Sequence, residues 1–169
     1  MNTIAKYVGG AVLAGVGIGV TKLLSNFNVI DPTEDDKIFC ERHPGISRHR
    51  DLMYGLGIIK EYRGYLRNRQ LYPQLVVACE RAARSYTYFV RERHNMSENR
   101  LLVYPKYMSV QCGNITDLVD TVSLELIAVR PDMEAEVSDA VETLKKTVGN
   151  FAFNCQQEVD VIMMENCEC

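Results

Sequence analysis

Apolar residues run almost unbroken from Ile4 to Leu24, then recur every three or four positions toward the C-terminal end. The later spacing belongs to amphipathic helices, so the expected fold is all-α: an N-terminal apolar helix followed by a small helical bundle. A first bundle helix opens at Ser47 and runs to about Asn68, with Leu52, Leu56, Ile59, Tyr62 and Leu66 as its stripe. Gly55, Gly57 and Gly64 interrupt it, which permits close packing of a neighbour. Pro73 opens the next helix, which runs to about His94 and presents Leu75, Ala78, Cys79, Ala82, Tyr86, Phe89 and Val90. The short break between them predicts an antiparallel helical hairpin. Leu101–Tyr104 reads as a brief strand or loop before Pro105, and Thr116 caps a further helix that bears Leu118, Val119, Val122, Leu126 and Val129 and stops at Pro131. The last helix covers most of 133–163. Its positions Val137, Val141, Leu144, Val148, Phe151, Cys155 and Ile162 keep alternating spacings of four and three, broken only at Glu158. Glu134, Glu136, Asp139 and Glu142 load its first turns with the negative charge that a helix dipole favours.

The N-terminal segment IAKYVGGAVLAGVGIGVTKLL holds 15 uncharged residues between Lys6 and Lys22. As a helix these span about 22 Å, short of a hydrocarbon layer of roughly 30 Å. The whole segment reaches about 31 Å if both lysines turn their amines toward headgroups, so one membrane pass is feasible. Glycines at 9, 10, 15, 17 and 19 weaken a helix in water but are tolerated in lipid. Gly15-x-x-x-Gly19 has the spacing that lets membrane helices approach closely. A buried core helix, or a segment threaded through a protein assembly, competes with this reading. A secretory signal lacks a small-x-small cleavage site, and a dinucleotide loop at Gly15-Val-Gly17-Ile-Gly19 lacks the third glycine's spacing and a preceding strand of adequate length. The chain divides into a glycine-rich apolar anchor helix (1–27), an acidic linker with a short helix (28–45) and a helical bundle domain (46–169). Within the linker NVIDPTEDDK and its continuation, Thr33 caps a helix from Glu34 to about Glu41, broken by Pro44-Gly45.

Composition changes this picture little; charge distribution changes it more. With 47% hydrophobic and 24% charged residues, wholesale disorder is excluded. The net charge is −3, but residues 41–107 hold 13 Lys/Arg against 6 Asp/Glu and residues 108–169 hold 3 against 12. Basic and acidic parts of this kind face each other in the fold or across an assembly. Arginines and tyrosines interleave at Tyr62, Tyr65, Arg67, Arg69, Tyr72, Arg81, Arg84, Tyr86, Tyr88 and Arg91, a mixture that also suits nucleic acid. The tyrosines coincide in part with the apolar stripes, so a nucleic-acid partner is disfavoured and Arg81, Arg84 and Arg91 are assigned to a protein interface.

Catalytic motifs are missing from the sequence. His43, His49 and His94 accompany no nucleophile elbow, and no phosphate loop, His-Glu-x-x-His or Cys-x-x-Cys occurs, so no cofactor and no catalysis are expected. His94 reads as a helix-end cation and His49 as a solvated surface residue. Cys40-x-x-His43 with Cys167-x-Cys169 would complete a tetrahedral zinc set, but more than 120 residues separate the halves. Free thiols in a reducing compartment are the expected state of the six cysteines.

A YVGGAVLAGVGIGV segment followed by a compact cysteine-bearing helical domain resembles, in architecture, the minor capsid and membrane-linked proteins of large icosahedral DNA viruses. That resemblance implies a non-enzymatic protein present in many copies in the virion, between shell and internal membrane, with capsid neighbours and lipid as partners. The alternatives are an adaptor anchored in an intracellular membrane, and a helical accessory subunit of an enzyme.

Overall fold

The apolar stripes become long helices, and two of them extend beyond what their spacing predicts. The computed structural model describes residues 34–167, and its elements are α1 (Glu34–Arg42), α2 (Pro44–Ser47), α3 (Arg50–Tyr62), α4 (Leu71–Glu92), α5 (Glu98–Val129) and α6 (Glu134–Cys167). Single 3-10 turns at Arg63–Tyr65, Arg93–Asn95 and Pro131–Met133 follow α3, α4 and α5. No strand occurs among the described residues, so the all-α bundle is observed. The anchor segment with Gly15 and Gly19, and also Cys169, lie outside the described residues. Among the described helices none is long and apolar enough to cross a membrane.

The hairpin of α5 and α6 forms the centre. Leu101, Tyr104, Met108, Cys112, Ile115, Val119, Val122 and Leu126 of α5 are all buried, at spacings of three and four. They face Val137, Val141, Leu144, Val148, Phe151, Cys155, Val159 and Ile162 of α6. Pro105 lies inside α5, which overturns both the strand or loop at Leu101–Tyr104 and the separate helix start at Thr116. Proline costs a helix about 3 kcal/mol, whereas each large buried side chain contributes roughly 1.5–3 kcal/mol. Eight of these on one stripe outweigh one missing hydrogen bond. The helix starts instead after Ser97, whose φ of −65° and ψ of 152° are those of an N-cap. At the Glu158 lapse in α6, Val159 takes the buried position and Glu158 turns outward to meet Arg93 at 2.7 Å.

The next correction concerns α3. It starts at Arg50 rather than Ser47, because Ser47 closes the one-turn α2 and donates its hydroxyl to the Pro44 carbonyl at 3.0 Å. It ends at Tyr62 rather than near Asn68; Leu66 still reaches the core, but from extended backbone. The Glu125 carboxylate of α5 accepts the Arg67 amide at 3.0 Å and holds that turn in place. Nor do α3 and α4 form the expected hairpin: α3 lies mainly on α6, and α4 mainly on α5. The long helices therefore run α3, α6, α5, α4 around the core, with α4 also touching α6.

Gly55 explains why α3 prefers α6. A Cβ at this position would stand 2.5 Å from Leu144 Cγ and 3.0 Å from the Ala140 carbonyl oxygen. Only a bare backbone allows that approach. Two phenols fasten the same seam: Tyr54 donates to Asp139 at 2.5 Å and Tyr62 to Glu136 at 2.8 Å. Burial first, then these carboxylates, push each phenol up to about 12.

Two expectations follow. Gly55→Ala should lower stability by about 1–3 kcal/mol through overpacking, although alanine is the better helix former. Gly113→Ala and Gly149→Ala meet nothing within 4 Å and should raise it by up to about 1 kcal/mol. Urea midpoints decide; equal effects at all three sites would defeat the close-approach argument. A phenol held neutral by folding contributes stability below its ordinary pKa of 10.0, which is lost as pH rises toward 12. Alkaline unfolding over that window should therefore flatten in a Tyr54→Phe, Tyr62→Phe variant, and phenolate absorbance should show two fewer late-titrating groups.

Candidate anion-binding cleft

One face of α4 is cationic because Arg81, Arg84, Tyr88 and Arg91 recur at spacings of three, four and three. Leu75, Cys79, Ala82 and Phe89 face the core from the other side. Along the cationic face lies the α2 turn, held by Glu80. Its half-buried carboxylate accepts the Gly45 amide at 3.0 Å and the Ile46 amide at 2.9 Å, and pairs with the Arg84 Nε. Burial opposes that charge, but Arg84 and the two amides more than offset it, so Glu80 titrates below the usual carboxylate range. Any side chain at Gly45 would meet Glu80 Oε1 at 2.8 Å, and Ile46 is fully buried. The turn is thus fastened by one apolar plug and one half-buried carboxylate.

Between this turn and α4 opens a cleft of about 350 Å³, lined by Pro44, Gly45, Arg48, Arg84, Thr87, Tyr88 and Arg91. Arg84 pairs through Nε with Glu80, and Arg91 through Nε with Glu92 at 2.8 Å. Arg48 joins no ion pair among the described residues. The Thr87 hydroxyl is committed to the Ala83 carbonyl at 2.9 Å, so guanidinium groups dominate the donors. Tyr88 is flanked by two cations, Arg91 at 5.9 Å and Arg100 at 5.5 Å from its ring centre.

The structure thus brings Arg84 and Arg91 into one cleft and leaves Arg81 on the exposed ridge beside it. Arg48 and Glu80 were not singled out from the sequence. The Arg-His-Arg run at 48–50 carries no period of its own, and Glu80 looks like any helix-surface acid. The remaining tyrosines of the interleaved set serve the fold: Tyr72 is buried, Tyr86 stacks on Phe151 at 4.6 Å, and Tyr65 accepts from Arg130 at 2.7 Å.

Among the other sequence candidates, Cys40 lies in α1 and His43 follows it, the imidazole packed 4.8 Å from the Phe39 ring. Cys167 is exposed at the end of α6, and no group of three metal-ligating side chains exists among the described residues. His49 is not the solvated residue expected. Its ring sits edge-on 4.8 Å from Phe151, its Nε2 is buried without a partner among the described residues, and burial together with Arg48 lowers its pKa. Cys79, Cys112 and Cys155 are buried free thiols of α4, α5 and α6. Burial pushes Cys79 and Cys155 to about 12, where the nucleophilic thiolate is scarce.

No protein-family model, curated protein or solved structure matches this chain.

Removing the Glu80 carboxylate should leave two buried amides without an acceptor. Glu80→Ala is expected to cost about 1–3 kcal/mol, and Glu80→Gln less, because one amide oxygen still accepts. Thermal denaturation of both variants tests this; a neutral Glu80→Ala would mean that Ile46 alone holds the turn.

Proposed function

We propose that the chain is a non-enzymatic structural protein that links a protein shell to a membrane, as a minor capsid protein does, with residues 1–27 as its anchor. The observation that carries this reading is the arginine face of α4. The basic and acidic halves do meet inside the fold, through Arg93 and Glu158. Arg84 and Arg91, however, pair with carboxylates of their own helix, and Arg81 joins no ion pair among the described residues. On that ridge Arg81 therefore remains as unpaired positive charge for an acidic neighbour. Toward its C-terminal end α6 adds Phe153, Val161 and Met164, 60%, 53% and 67% exposed on one outer face. Apolar surface of this kind is covered when subunits pack in an array. Thiols held protonated in the core fit a structural role and supply no nucleophile.

Reversing Arg81 and Arg91 to glutamate should cut incorporation into the parent assembly severalfold while far-ultraviolet dichroism stays helical. Association should also weaken as salt rises, since surface charges are screened beyond about 8 Å at 0.15 M. Deleting residues 1–27 should release the remainder from the membrane fraction. Unchanged assembly of the reversed variant, or extraction of the full chain by alkaline carbonate, would defeat the reading.

A further inference from the structure

We infer that the cleft between α2 and α4 is a binding site for a phosphate monoester, held by the guanidinium groups of Arg48, Arg84 and Arg91. The site does not depend on the assembly reading, because Arg48 belongs to the cleft alone and Arg81 to the ridge alone.

The cleft is small and half open. Its volume of about 350 Å³ stands at the lower end for ligand pockets, which suits a headgroup or a small molecule. Three arginines and no lysine line it. Planar forks match oxyanions, and a carboxylate with two oxygens is satisfied by one fork. A terminal phosphate offers three oxygens and a charge near −2, enough to engage three forks. Arg84 and Arg91 are each tethered through Nε, to Glu80 and Glu92, and no terminal nitrogen takes part in those two bonds. Such tethering lowers the entropy lost on binding. Arg48 has no carboxylate partner among the described residues, so binding breaks no described ion pair there. Its backbone is fixed by the turn that Glu80 clamps, since Ile46 also accepts the His49 amide at 2.9 Å. Pro44 and the Tyr88 ring supply apolar walls for the carbon skeleton of an ester. The same phosphate chemistry comes from a soluble monoester or from a lipid headgroup of the phosphatidic acid type.

The test uses the full-length chain in detergent and in vesicles. Calorimetric titration with glycerol phosphate, against chloride and sulfate at matched ionic strength, should show saturable binding. Arg48→Gln should weaken it about tenfold, as loss of one charge-assisted hydrogen bond does. Arg91→Gln should act alike, and Arg81→Gln should leave binding unchanged. In the second arm, the protein is added to phosphatidylcholine vesicles with and without phosphatidic acid. Dependence on Arg48 in the soluble arm identifies a free monoester; dependence on Arg48 only with phosphatidic acid identifies the lipid headgroup. Chloride or sulfate competing as well as phosphate, or equal losses from Arg48→Gln and Arg81→Gln, would show a diffuse charge effect and overturn the proposal. Indifference to Arg48 in both arms would overturn it as well.

Discussion

The approach of α3 to α6 at Gly55 is the constraint from which the rest of the arrangement follows. Leu144 fills the space where a β-carbon would stand, and Ala140 brings its carbonyl to the same point. With α3 committed to α6, the neighbouring α4 must cover the other side of the hairpin, against α5. The Tyr54 and Tyr62 hydroxyls then meet Asp139 and Glu136, so acids that suit the start of α6 also align it with α3. Steric fit sets the distance, and polar bonds set the register along it.

Charge plays two separate roles. Where carboxylates are half-buried they act as local fasteners: Glu80 for the α2 turn and Glu125 for the turn after α3. Where arginines are exposed along α4 they stay largely outward. Glu80 connects the roles, because the carboxylate that closes the turn also orients Arg84 at the edge of the cleft. A reversal at Arg84 would therefore disturb the fold and the surface together, whereas Arg81 and Arg48 report on surface alone.

Much of the fold was legible because helical periodicity is a local signal. The stripe of α6 from Val137 to Ile162 is buried throughout, and Glu34–Arg42 forms the short helix expected after Thr33. Pro105 misled because a local rule was applied where tertiary burial outweighs it. The start of α3 is not legible locally, because Ser47 serves the preceding turn, which depends on Glu80, more than thirty residues away. Pairing of helices was hidden for the same reason: the decisive contact joins Gly55 to Leu144. The arginine face was visible as a spacing along α4, but Arg48 joins it only through the fold. The half-buried setting of His49 is hidden from the sequence because nothing near it in the chain reveals Phe151 and Tyr86 as its neighbours.

The buried thiols of Cys79, Cys112 and Cys155 belong to three different helices, while Cys167 is exposed and Cys40 only partly covered. Cys112 also donates to the Val148 carbonyl at 2.8 Å, which ties a sulfur to the backbone of the partner helix. An alkylating reagent or oxidant thus meets a graded target. Cys167 reacts at the rate of a surface thiol, Cys40 more slowly, and the interior three only as fast as α4, α5 and α6 part from one another. Among the described cysteines the interior thiols therefore report helix separation, with Cys112 and Cys155 both sensing the seam between α5 and α6.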